Sequence, residues 1–137
     1  MISALDTTVL LDVLLPDPTF GPGSMRVLAQ AYDEGSLTIC PIVYAELAPH
    51  FEQRQALEDA LKRLNVRLSD GGPEVAFAAG RAWRDYRRAG GMRERILPDF
   101  FIGAHAELTS NRLVSRDRGF YRTYFPTLTL LEPAGLR

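Results

Sequence analysis

Four acids stand at positions where a carboxylate needs an explanation. Asp6 closes the apolar run "ISAL", Glu46 lies inside "IVYAELA", Asp99 follows Pro98 in "LPDFFIGAHA", and Asp117 comes two residues after "RLVS". Taken singly, each has an ordinary reading. Asp6 or Asp117 suits a turn or a helix N-cap, Asp99 suits a helix's first turn, and Glu46 suits an ion pair with an arginine. Gathered at one edge, four carboxylates would repel one another, and desolvation would raise their pKa values, unless a positive charge sat among them. A divalent cation supplies that charge. Oxygen donors with no His or Cys nearby favour a hard ion, Mg2+ or Mn2+. The chemistry implied is metal-assisted attack of water on a phosphodiester.

The elements that must bring these acids together are readable in the pattern of apolar residues. "ISAL" reads as a short buried strand, "TTVLLDVLL" as a helical or turning segment and "PDPTFGPG" as a loop. Ser24 stands as the N-cap of a helix "MRVLAQAYDE" stopped by Gly35. "SLTIC" is a strand, and Pro41 opens the helix "PIVYAELAPHF", where its missing N–H costs nothing. Ala56, Leu57, Ala60, Leu61 and Leu64 recur at helical spacing before the strand "NVRL". A helix from about Glu74 to Ala89 puts Val75, Ala78, Ala79, Ala82 and Tyr86 on one side and Arg81, Arg84 and Arg88 on another. Helix "DFFIGAHAELTS", strand "RLVS", helical turn "RGFYRTYF" and strand "TLTLL" complete the chain. Strands alternating with helices predict a parallel, doubly wound α/β sheet with helices on both faces. Ligands in that architecture gather beyond the carboxyl ends of the strands, where Asp6 and Asp117 both belong. Asp99 opens a helix whose Ile102, Gly103 and Ala106 let it press close to the sheet. Glu46, among apolar neighbours, reads as partly buried and in need of a partner.

Composition narrows the function further. At 137 residues with 46% apolar content, the chain fits one compact domain spanning 1–137. The first apolar run is broken by Asp6 and Asp12 and reads as neither signal peptide nor membrane span, so a cytoplasmic protein is expected. Asp12 itself reads as an ordinary exposed helix acid. The lone Cys40 reads as small core filler, and His105, on an apolar helical stretch, as a satisfied structural histidine. The net charge of −1 excludes a blanket electrostatic footprint, but residues 81–95 hold six arginines and residues 112–122 hold four. Lys62 is the only lysine. Arginine-favouring codon usage explains such a skew without function; guanidinium forks also suit phosphate, and a local stripe can bind RNA on a near-neutral protein.

The set "LDTTVLLDVL", "YAEL", "LPDFFIGAHA" and "LVSRDRGFYRTYF", in order over nearly the whole chain, resembles the PIN-domain nucleases, most closely the VapC-like toxins of toxin–antitoxin pairs. The resemblance implies a three-layer α/β/α PIN-like fold around a central parallel sheet. It makes Asp6, Glu46, Asp99 and Asp117 the catalytic acidic quartet. Asp6 and Asp99 would be the direct metal ligands, with Glu46 and Asp117 completing or orienting the metal's surroundings. Thr7 and Ser115 fall at hydroxyl positions often seen in the family and would support the ligands; Thr8 departs from the usual Asn or Ser. Also implied are a structured RNA substrate such as tRNA or rRNA, Mg2+ or Mn2+ as cofactor, a homodimer, and a cognate antitoxin. To this the sequence adds a candidate RNA surface: Arg84, Arg88, Arg93, Arg95, Arg116 and Arg118. Phe120, Tyr121 and Tyr124 offer stacking surfaces but read mainly as packing for the last helix.

Two other classes fail on specific residues. A phosphoacceptor receiver domain needs a lysine near the end of a late strand, and Lys62 lies in a helix. A dinucleotide-binding enzyme needs a glycine-rich turn after the first strand, and "GPG" at 21–23 follows a Pro-rich loop instead. The rival that remains is a catalytically silent PIN-fold module that holds RNA or a partner without cutting.

Overall fold

The computed structural model describes residues 1–91 and 96–133. In chain order the elements are β1 (Ile2–Leu5), α1 (Thr7–Leu14), α2 (Gly21–Glu34), β2 (Ser36–Ile39), α3 (Pro41–Leu47), α4 (Arg54–Arg63), β3 (Val66–Leu68), α5 (Gly72–Arg88), α6 (Leu97–Thr109), β4 (Arg112–Val114), α7 (Arg118–Tyr124) and β5 (Leu130–Leu131), with a 3-10 turn at Ala48–His50. The strands form one all-parallel sheet in the order β3-β2-β1-β4-β5. β1 is central because its Ala4 and Leu5 are buried and because both of its edges are paired. From β1 the chain builds outward through β2 and β3 on one side and later through β4 and β5 on the other. The crevice between the ends of β1 and β4 is therefore the topological switch point, where such sheets bind ligands.

Short strands suffice because helices cover both faces with one contiguous core. Val9, Leu10, Val27, Leu28 and Ala31 of α1 and α2 join Leu37 and Ile39 of β2, while Val75 and Ala79 of α5 pack with Phe100, Ala104 and Ala106 of α6. Cys40 lies in that core, and burial pushes its thiol up to about 11, leaving it an inert filler at neutral pH. An aromatic cluster of Tyr86, Phe100, Phe120, Tyr124 and Phe125 fastens α7 to α5 and α6, with ring centroids 5.1–6.3 Å apart among neighbours. Gly103 is a close approach to this cluster: a Cβ there would sit 2.3 Å from the Phe125 ring. The small residue thus admits an aromatic ring; the expectation had it admitting the sheet.

Three local expectations differ from what the fold does. α2 begins at Gly21, not after Ser24, because Asp17 organises the preceding turn, its Oδ1 accepting from Thr19 N and Phe20 N at 2.8 and 2.7 Å. Ser24 is thereby released into the helix, fully buried, and donates to Asp12 Oδ2 at 2.7 Å. Asp12 is 5% exposed, not a solvated helix acid. His105 is buried, and its Nε2 has no hydrogen-bond partner among the described residues; burial pulls its pKa down, which keeps the ring neutral. No helix among the described residues is long and apolar enough to cross a membrane.

Candidate active site

Asp6 occupies the first position beyond β1. Its backbone N–H continues the sheet by donating to Val114 O at 3.0 Å, and the residue then turns to become the N-cap of α1, its Oδ1 accepting from Thr7 N at 2.8 Å. Capping alone would leave Asp6 an ordinary turn residue. Here the side chain is 8% exposed, and its second oxygen accepts from Ser115 Oγ at 2.7 Å and from the Tyr121 hydroxyl at 3.4 Å. All its partners among these bonds are neutral. Burial pushes the Asp6 carboxyl above the usual carboxylate range; the Ser115 and Thr7 hydrogen bonds hold it down, and the charges of Glu46 and Asp117 push it up again.

Two hydroxyl residues wire this carboxylate to its neighbours. Thr7, whose N–H serves Asp6, donates its Oγ1 to Glu46 Oε1 at 2.6 Å. Ser115, whose Oγ serves Asp6, accepts from Asp117 N at 2.9 Å and so fixes the start of the turn into α7. Glu46 extends from α3, whose Val43 and Leu47 face the core at a spacing of four; the residue itself is exposed, contrary to the expectation of partial burial, and its carboxylate reaches inward to Thr7. Asp99 is in the first turn of α6, where its Oδ2 accepts from Ile96 N at 3.2 Å. The Tyr121 hydroxyl feels the whole assembly: burial first, then the charges of Asp6, Asp99 and Asp117, hold it protonated far above the usual phenol range. It therefore remains a donor toward Asp6.

Charge of one sign is thus concentrated at the switch point, with donor chemistry that is all oxygen. Among the described residues, no three acids, histidines or cysteines are drawn together tightly enough to hold an ion by side chains alone. Oxygen donors of this kind suit a hard ion such as Mg2+, which takes one or two carboxylates together with waters and substrate phosphate.

The arginines divide sharply. Arg116 is engaged within the protein: its Nε and Nη2 grip Asp12 at 2.9 and 3.1 Å, and its Cζ lies 3.8 Å from the Phe20 ring centroid. This clamp ties the residue between Ser115 and Asp117 to α1 and to the loop before α2. Arg118 pairs with Glu132 at 3.4 Å, and Arg84 with its neighbour Asp85 at 3.1 Å, both on the surface. Arg88 is exposed. Arg93 and Arg95 lie outside the described residues. Sequence reasoning missed the Asp12–Arg116 clamp and the Tyr121 contact. The signal for the first was an acid inside an apolar helix together with the arginine of "SRD" after the strand "RLV"; for the second it was Tyr121, one helical turn after Asp117.

The PIN domain family matches residues 4–126. The chain belongs to the PIN-domain family. Its fold is also that of several solved structures. A chain of VapBC2 from Rickettsia felis, bound to a DNA fragment from their promoter, is 20% identical with a TM-score of 0.73, covering 96% of this chain and 98% of that one. VapBC-1 from nontypeable Haemophilus influenzae gives 18% identity and a TM-score of 0.71, again covering 96% and 98%. A toxin–antitoxin complex from Klebsiella pneumoniae gives 20% and 0.67, covering 98% and 99%. No curated protein matches the chain.

Proposed function

We propose that this PIN domain is a metal-dependent endoribonuclease, the toxin of a toxin–antitoxin pair, hydrolysing phosphodiester bonds in structured RNA such as tRNA or rRNA. The observation that carries the reading is the double wiring of Asp6. Thr7 joins it to Glu46 and Ser115 joins it to Asp117, so a buried carboxylate is surrounded by like charge and neutral donors at the sheet's switch point. A fold held together only for stability gains nothing from that repulsion.

Asp6 and Asp99 are the direct ligands of Mg2+ or Mn2+ in this reading, with Glu46 and Asp117 completing or orienting its surroundings. The bound cation would neutralise phosphoryl charge and activate a water for attack. The protein's own residues do the rest. Ser115 and Tyr121 fix one oxygen of Asp6, while Thr7 fixes the other by its N–H and holds Glu46 by its hydroxyl. Asp117 is set in register with Asp6 through Ser115, and the Arg116 clamp keeps that loop from drifting. Arg84, Arg88, Arg93, Arg95 and Arg118 supply the phosphate-binding surface; Arg116 contributes to it only by way of its clamp. A cytoplasmic homodimer silenced by a cognate antitoxin is the biological setting; the fold shared with the Klebsiella toxin–antitoxin complex supports the antitoxin.

Cleavage of a total-RNA pool by purified, partner-free protein, with and without Mg2+ or Mn2+, tests this. Site-limited cuts that need metal and vanish in Asp6→Asn and Asp99→Asn are expected. Folded wild type that binds RNA but never cuts it would instead identify a silent binding module.

A further inference from the structure

The chain's single tryptophan, Trp83, is half-buried on α5 beside a cavity of about 610 Å3 lined by Gly80, Trp83, Arg84, Arg87, Arg88 and Leu97. Spacings of three and four along α5 place its five α5 residues on one stripe. The opposite side of the helix carries the buried Val75, Ala79 and Tyr86. Two features mark the cavity as more than a surface dimple. The Arg87 guanidinium lies 4.9 Å from the indole centroid, so a planar group already covers that ring face. At Gly80 the chain forgoes a side chain in mid-helix where a Cβ would meet nothing within 4 Å, so the glycine keeps space open and relieves no clash.

We propose that this cavity is a nucleotide subsite, holding one unpaired base of the RNA against Trp83 and Leu97 while Arg84 and Arg88 hold its flanking phosphates. The inference rests on the nuclease reading above and adds where the strand is gripped. A ligand suited to the site must be flat, apolar on its faces and anionic at its edge, because an indole and an exposed leucine stand beside three arginines with Asp85 the adjacent acid. Position points the same way. Leu97 and Asp99 share the first turn of α6, so the cavity lies across that turn from the carboxylate, about one helix diameter of 10–12 Å. A strand passing the acids reaches the cavity within a nucleotide or two. Arg87 covers the indole until the base displaces it. A second copy of the chain fits less well, since an isologous contact would press the arginine stripe against its own counterpart.

Because Trp83 is the only tryptophan, its fluorescence reports occupancy directly. Asp6→Asn protein, used to prevent cutting, is titrated with an adenosine hexaribonucleotide and with an abasic strand of equal length. The base-bearing strand is expected to quench Trp83 and the abasic one is not. Adding Gly80→Leu, which fills the cavity with a good helix former, should weaken the base-bearing strand about tenfold or more, the scale of one stacked base. Arg84→Gln with Arg88→Gln should lower the slope of log affinity against log salt by about 0.7 per lost phosphate contact. Absent quenching, or quenching and affinity unchanged by Gly80→Leu, overturns the subsite. Self-association that Gly80→Leu abolishes, with Trp83 unquenched by RNA, overturns it in favour of a second copy. Failure of the nuclease reading is seen separately, as wild type that leaves total RNA intact while still binding the hexanucleotide.

Discussion

At the edge where the strands begin, the buried Arg112 gives its Nε to Ser3 Oγ at 2.8 Å and its Nη2 to Glu34 Oε1 at 2.6 Å. The hydrogen bond and charge of Arg112 hold the Glu34 carboxyl below its ordinary range. At the edge where the strands end, Asp6 is equally buried, yet its hydrogen bonds come from a backbone N–H and two hydroxyls, and the charges that reach it are those of Glu46 and Asp117. One edge closes its electrostatics within the chain; at the other, the described residues set like charge and no cation beside Asp6, a local surplus of negative charge. Asp12, only two helical turns from Asp6, makes the contrast sharper. It is as buried as Asp6 but takes a bidentate arginine. The fold is able to pair a buried acid, and among the described residues no cation pairs with Asp6. A buried carboxylate among like charges at the sheet's switch point fits the metal-holding role proposed for Asp6.

Substitutions at the matched charges should be costly to stability, and those at the surplus charge costly to function. Arg116→Met strands Asp12 and should destabilise by about 3 kcal/mol, the lower end for breaking a buried pair, because Arg116 is partly exposed. Adding Asp12→Leu to Arg116→Met should return much of that loss in urea denaturation; no recovery would mean that the clamp's stability comes from Phe20 packing. Ser115→Ala should lower cleavage about ten- to a hundredfold, as loss of a ligand-orienting group does, with a smaller effect on the melting temperature. Equal losses in both would make Ser115 purely structural. Arg112→Met should cost only about 1–2 kcal/mol, chiefly the unpaired Ser3 hydroxyl, since Glu34 can turn to water. Gly80→Ala should stabilise by up to about 1 kcal/mol through helix propensity, and a destabilised variant would show that Gly80 is held by packing.

The order of the strands and α-helices among the described residues was legible, with only α1 left between helix and turn, because alternation of short β-branched or aliphatic runs with 3.6-residue periodicity survives in a chain this small. The sheet edge at which ligands gather followed from two residues, Asp6 and Asp117, each just beyond a strand; the switch point itself needed the strand order. Charge pairing was not legible. Asp12 and Asp6 look alike in sequence, both acids in apolar surroundings, and only the path of the loop after β4 decides that Arg116 reaches the first and Ser115 the second. Arg116 was read as a phosphate ligand for the same reason: residue type shows a guanidinium, whereas its partner 104 residues away is a matter of tertiary structure. Ser24 was misplaced because Asp17, an equally good turn former, competes for the same helix start. Glu46 was expected to be partly buried because its neighbours are apolar, yet on a seven-residue helix only Val43 and Leu47 turn fully inward.

Thermal unfolding of wild type and Asp6→Asn, each with and without Mg2+, tests the surplus charge most directly. The folded Asp6 carboxyl sits above its unfolded range, so its ionised form opposes folding once the pH exceeds the unfolded value, and the penalty is present at pH 7. Both hydroxyl partners can turn to accept from an amide. Asp6→Asn should therefore melt a few degrees higher than wild type without metal, and Mg2+ should raise wild type while leaving the variant nearly unmoved. A variant that melts lower in the absence of metal, beside a wild type indifferent to Mg2+, would contradict the account.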